Sequence, residues 1–257
     1  MRIIIPILLA LLFVRSAVAD PRDLSTLELF AESAFRTEMC GEMQFGCDRD
    51  LFRRDELVLV RVPEIAFDSA DQLEVTRRIL RDAMDEIADA TGLRIEFTPI
   101  ISADTLEETI NVIAFDDRIA EALRTSNEIL FSELFFDIQS RGVECFAIWR
   151  GKAPGLIGHT NIFLRKGIED RHLAYCIREE LLNAFGLGDP EGLPAFLDIA
   201  ESRPSRPAPI FYGYTVCELE LLRLLYSDAV SPDMPRQDAI EALSTGHFDQ
   251  DACGRRN

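Results

Sequence analysis

Three histidines, His159, His172 and His247, are all the imidazole this chain has. A metal centre built on three histidines would need every one of them to converge, and nothing in their spacing favours that. Other chemical signatures are missing outright. No Gly-x-Ser-x-Gly elbow, no phosphate-cradling glycine loop and no Cys-x-x-Cys pair occurs, which removes the usual serine hydrolases, nucleotide-binding loops and dithiol oxidoreductases. Basic residues are in deficit, 27 Lys+Arg against 45 Asp+Glu, for a formal charge of −18. Such a chain repels phosphate backbones and anionic lipid surfaces, so nucleic-acid binding is disfavoured. Solubility explains the charge more simply than an acidic recruitment surface does. Beyond the first residues, no apolar run is long enough to span a bilayer.

The one long apolar run lies at the start. Met1 and Arg2 precede Ile3 to Val14, and Ala17-Val18-Ala19 follows, the pattern of a secretory signal peptide over residues 1–19. Cleavage after Ala19 would leave 257 − 19 = 238 residues and, with Arg2 and Arg15 gone, a charge of −20. No cysteine stands at the cleavage point to take a lipid anchor. The expected product is exported, periplasmic if the source is Gram-negative. In that oxidising setting six cysteines allow three disulfides in 15 connectivities. The expected pairs are Cys40 with Cys47 in a local loop, Cys145 with Cys176, and Cys217 with Cys253. The second pair would staple a strand to a helix, leaving Cys176 useless as a thiolate ligand or nucleophile.

Periodicity orders the rest. Residues 20–56 read as an N-terminal appendage with a helix around 27–36 and the cysteine loop. Strands are expected at 57–65, 93–100, 111–115, 143–150 and 156–166, with a turn at Gly151 to Gly155. A long helix capped by Asp68 or Ser69 should run to Gly92, and another helical stretch should cover 117–140. Residues 57–189 then form an α/β core, and 190–257 a C-terminal helical part containing the Pro- and aromatic-rich tract 202–214. That tract is expected to lie as a loop over the core.

Groups able to do chemistry recur at helical spacing in one place, Asp170 to Asp189. At roughly 100° per residue, Leu173, Ala174, Ile177, Leu181, Ala184 and Phe185 share the buried side. His172, Cys176, Glu179 and Asn183 follow one another along its edge. Glu180 points into the apolar arc, where a carboxylate needs a partner, a cation or a proton. Gly186 stands where a left-handed cap would stop the helix, and Gly188 leaves Asp189 free to turn back.

The pattern Glu179, Glu180, Asn183, Gly186, Asp189 resembles the metzincin zinc-peptidase signature, His-Glu-x-x-His-x-x-Gly-x-x-His/Asp, with both histidines replaced. The resemblance implies a zincin-like α+β fold: a twisted mixed sheet, a long backing helix and an active-site helix beneath it, with a C-terminal helical part. It puts Glu179, Asn183 and Asp189 at the metal-ligand positions and Glu180 at the general-base position. Two blocks, CIREELLNAFGLGD and CELELLRLLYSDAVSPDMPRQDAIEAL, also resemble the bacterial family called domain of unknown function 2927, over about Phe67 to Leu243. Members of that family are mostly exported and lack an assigned activity.

Zinc prefers His and Cys, whereas Glu, Asn and Asp are hard oxygen donors suited to calcium or magnesium. The expectation is therefore an inactive pseudo-metallopeptidase that binds or scaffolds an envelope protein or peptide and holds no cofactor. The competing expectation is a hydrolase with an oxygen-rich metal site and Glu180 as base. If instead Glu180 is structural, it would bond to the neighbouring strand or pair with Arg178, Arg165 or Arg150.

Overall fold

The computed structural model describes residues 25–35, 51–100, 102–116, 144–188 and 213–253. The expected leader, the Cys40–Cys47 loop, the 117–140 helix and residues 202–212 lie outside these residues.

Five strands form one mixed sheet: β1 (Leu57–Arg61), β2 (Arg94–Phe97), β3 (Thr109–Phe115), β4 (Cys145–Ala153) and β5 (Leu156–Arg165), in the spatial order β2-β1-β3-β5-β4. β1 runs parallel to β2 and β3, and β3 parallel to β5. β4 is antiparallel to β5 and forms one edge. Together with the five α-helices among the described residues this is an α+β fold. β3 is almost continuously apolar because it lies mid-sheet with both faces covered, and six of its seven residues are buried.

The helices are α1 (Thr26–Ala34), α2 (Ala70–Thr91), α3 (Asp170–Ala184), α4 (Val216–Leu225) and α5 (Arg236–Ser244). α2 starts where Ser69 accepts a hydrogen bond from the Gln72 amide and stops at Gly92, whose φ of 72° is left-handed. Its buried Thr76, Leu80, Ala83, Met84 and Ile87 form a single stripe. α1 and α4 each open with a capping box, Ser25 with Glu28 and Thr215 with Glu218.

The strand ends differ from the sequence expectation for local reasons. β1 stops at Arg61 rather than residue 65 because Pro63 has no amide to donate and Glu64–Ala66 winds into a 3-10 turn. β2 stops at Phe97, before Pro99, where the Thr98 hydroxyl donates to the Ile100 carbonyl instead. β4 continues through Gly151, expected to begin the turn. Irregular pairings carry it to Ala153, and only Pro154 and Gly155 remain to reverse the chain.

One hydrophobic core serves the whole described chain. Val58, Val60, Ile110, Val112, Ile162 and Leu164 on one sheet face meet Leu80 and Met84 of α2, Leu173 and Ile177 of α3, and Leu221 and Leu225 of α4. α1 belongs to the same cluster through Leu29 and Phe30, and the Thr26 hydroxyl donates to the Gln250 carbonyl at 2.9 Å. The segments on either side of 57–189 thus share the core of that region.

Candidate functional site

α3 follows β5 and packs against β4, β5 and α2. Its apolar side is buried as the periodicity requires, and Glu180 is carried in with it, 7% exposed. The Cys145–Cys176 disulfide, with a Cα–Cα distance of 5.7 Å, ties the first residue of edge strand β4 to the middle of the helix. Cys217 and Cys253 are bonded as well. Both pairings match expectation; Cys40 and Cys47 lie outside the described residues.

The disulfide lies at the centre of the charged motif. One carboxylate oxygen from Glu179, one from Glu180 and the Cys145 sulfur all fall within 4.8 Å of one another. Because that sulfur is bonded to Cys176, it offers no thiolate, and the grouping reduces chemically to two carboxylates beside a disulfide. Asn183 donates its amide N–H to Glu180 Oε2 at 3.3 Å. Asp189 lies outside the described residues. His172 does not join the group: its Nδ1 is 3.2 Å from Glu144 Oε2.

The exit from α3 is rigidly held. Phe185 is the C-cap, and Gly186 follows at φ 101°. The Leu187 amide donates to Leu182 O at 2.9 Å and the Gly186 amide to Asn183 O at 3.2 Å, which is a Schellman closure. Residues 52–54 clamp it from outside. The Phe52 carbonyl oxygen occupies the space where a Gly186 side chain would begin, 2.0 Å from an ideal Cβ. Arg54 Nε donates to Ala184 O at 2.7 Å and Arg54 Nη2 donates to the Thr160 hydroxyl. The Tyr226 hydroxyl donates to Phe185 O at 2.9 Å.

Arg54 is a residue the sequence reading missed. Its guanidinium is buried, lies 5.7 Å from the Phe185 ring centre and is held by neutral acceptors at the carbonyl end of α3, where the helix dipole favours a cation. Burial brings its pKa down to about 10. Nothing in the pattern Phe52-Arg53-Arg54-Asp55 marks the second arginine as internal.

Compared with protein-family models and with curated proteins, the chain matches none. The chemistry of the site is therefore read from its own groups.

On the other side of α3, Arg178 is buried and donates through Nη1 to Glu86 Oε1 at 3.1 Å. Of the arginines considered as partners for Glu180, this one is turned to α2. A second polar cluster crosses the sheet face away from the core helices. Asn111 and Asn161 are in register on β3 and β5, and Asn111 Nδ2 donates to Asn161 Oδ1 at 3.1 Å. His159 Nδ1 is 3.2 Å from Leu106 O and its Nε2 is 3.4 Å from Asn111 Nδ2. Desolvation lowers the imidazole pKa, partly offset by the Leu106 carbonyl, so the ring is held neutral. Alternation along β5 puts His159 and Asn161 on one face; their partner Asn111 comes from a strand distant in sequence.

As a metal centre, the α3 group offers oxygen alone. Two carboxylates do not fit the nitrogen- and sulfur-rich tetrahedron that zinc selects, and no imidazole joins them among the described residues. They do match the donor type of a hard divalent cation.

Proposed function

We propose that this is an exported, zincin-like protein of the cell envelope, periplasmic in a Gram-negative cell, that lacks peptidase chemistry and binds or scaffolds an envelope protein or peptide. One observation carries the reading. Where the zinc peptidases it resembles present imidazoles along the active-site helix, α3 presents a carboxylate pair against a blocked sulfur, and Asn183 directs its amide at Glu180. Without a Lewis acid to acidify water, one carboxylate is a poor catalyst of peptide hydrolysis. Supporting the fold side of the proposal are the long helix α2 backing a mixed sheet and the position of α3 after an antiparallel hairpin. Two disulfides support an oxidising compartment. No helix among the described residues is long and apolar enough to cross a membrane.

The convergence of Glu179 and Glu180 favours one alternative, a hydrolase using calcium or magnesium held by Glu179, Asn183 and Asp189 with Glu180 as base. Elemental analysis of dialysed protein separates the two. Substoichiometric metal and no chelator-sensitive cleavage of a peptide library are expected, together with recovery of a stoichiometric partner from envelope extract. Bound calcium or magnesium at one equivalent, with cleavage abolished by chelator, would replace the binding reading with the hydrolase.

A further inference from the structure

Acidic residues outnumber basic ones in this chain, 45 to 27, yet three arginines line one opening at the end of the sheet. Beyond the carboxyl ends of β1 and β2 lies an open pocket of about 530 Å³ whose lining includes Arg61, Arg77, Arg81, Glu64, Ile65 and Phe97. Among the described residues its charged lining is three arginines and one glutamate, so 3 − 1 = +2 on a molecule of net −18.

The arginines are not neutralised. Glu64 takes Arg77 at 2.8 Å, but Glu64 is 75% exposed, and such a surface pair is weak. Arg61 and Arg81 form no ion pair among the described residues. Arg61 Nε is buried with no acceptor among the described residues, so no protein oxygen there holds the guanidinium through it.

Two large apolar side chains of the lining are open to solvent. Ile65 is 97% exposed and Phe97 42%. The location is also one where open sheets bind ligands. It lies beyond the carboxyl ends of the parallel neighbours β1 and β2, the side of an open sheet where ligands bind. The volume lies within the range of small-molecule sites, roughly 300–1,000 Å³.

We propose that this pocket binds a small amphipathic anion, a carboxylate or phosphate head carried on an apolar chain, with the head on Arg61 and Arg81 and the chain against Ile65 and Phe97. Guanidinium forks match both head groups. Because the overall field repels anions, the apolar contact is needed to hold the ligand. The inference is independent of the α3 carboxylates and survives either reading of them.

The test is calorimetric titration of the purified protein with decyl phosphate below its micelle concentration, against inorganic phosphate and neutral decyl maltoside. Saturable one-to-one binding of decyl phosphate is expected, at least roughly tenfold tighter than either comparator, since losing charge-assisted bonds or apolar contact each removes that much. Arg61→Gln and Arg81→Gln should each weaken it by roughly tenfold or more. Arg94→Gln, which removes an exposed arginine paired with Glu96 outside the pocket, should not. If Arg61→Gln fails to fold by circular dichroism, the exposed Arg81 decides alone. Absence of binding up to millimolar ligand would overturn the proposal, as would equal affinity for decyl maltoside or an unchanged Arg81→Gln. Capture by phosphatidylglycerol vesicles without binding of free decyl phosphate would also overturn it, in favour of a membrane contact.

Discussion

The Arg178 guanidinium lies 4.9 Å from the centre of the Tyr214 ring, and the Tyr214 hydroxyl donates back to the Arg178 carbonyl at 3.1 Å. Glu86 completes the arrangement, accepting from Arg178 Nη1 at 3.1 Å and from the Tyr214 amide at 2.8 Å. One carboxylate on α2 thereby holds α3 and the entry to α4 together. Glu86→Gln leaves a buried cation facing a neutral amide, and the expected loss is about 2 kcal/mol, moderated by the partial exposure of Glu86. Tyr214→Phe removes only the hydroxyl contact and should cost about 1 kcal/mol. Urea unfolding midpoints measure both, and an equal or larger loss for Tyr214→Phe would contradict the assignment of Glu86 as the tie.

Removing the strand-to-helix staple tests the frame of the charged motif. Cys145 and Cys176 are 31 residues apart, and a closed loop of that length restricts the unfolded chain by roughly 3–4 kcal/mol. The double variant Cys145→Ala with Cys176→Ala should lose about that much in chemical denaturation. The Cys217–Cys253 pair closes a loop of similar length, 36 residues, so its removal should cost a similar amount. A difference of several kcal/mol between the two would show that native packing, and not loop closure, dominates one of them.

Much of this frame was legible in the sequence because local signals and tertiary packing agree there. Ser69 and Gly92 bound α2, the alternation of His159 to Leu164 sets the two faces of β5, and the position of Glu180 within an apolar arc forecast its burial. Contacts set by strand order were not legible. Asn111 meets Asn161 only because β3 and β5 become neighbours, and Arg61 joins Arg77 and Arg81 only because α2 begins beside the end of β1. Arg54 was hidden for a further reason. Its acceptors are the Ala184 carbonyl and the Thr160 hydroxyl, and a backbone acceptor leaves no side-chain signature to read. At the motif itself, residue types were readable, but the direction of Asn183 toward Glu180 was not.

Two glycines of similar sequence role should respond differently to a methyl group. Both end long helices at positive φ, 72° at Gly92 and 101° at Gly186. Around Gly92 nothing among the described residues lies within 4 Å of an added Cβ, whereas at Gly186 the Phe52 carbonyl oxygen is 2.0 Å away. Gly92→Ala should cost about 1 kcal/mol, the conformational penalty alone. Gly186→Ala adds displacement of the 52–54 clamp and should cost about 3 kcal/mol or more. Thermal unfolding of the pair checks this, and equal shifts would mean that the clamp is free to move.

Glu218 gives the fold a pH dependence opposite to that of an ordinary salt-bridged acid. It is the third residue of the α4 capping box and accepts from the Thr215 amide at 2.6 Å, while its other oxygen is buried with no partner among the described residues. Desolvation raises its pKa from 4.5 to about 7, against the Thr215 hydrogen bonds and the charge of Arg178, which lower it; Glu86 adds to the rise. Burial also holds the neighbouring Tyr214 phenol protonated, its pKa well above 10. Between pH 4.5 and about 7 the folded chain retains a proton that the unfolded chain releases. The contribution is therefore complete below the lower value and is lost as pH rises through the upper one. The rise from 4.5 to about 7 corresponds to about 3 kcal/mol. Glutamine carries the neutral shape and can still accept from Thr215, so Glu218→Gln should match the parent near pH 5 and exceed its stability at pH 8. Comparing variant with parent cancels the other carboxylates. A stability difference that is the same at both pH values, by urea unfolding, would mean that Glu218 is charged in the folded protein throughout the range.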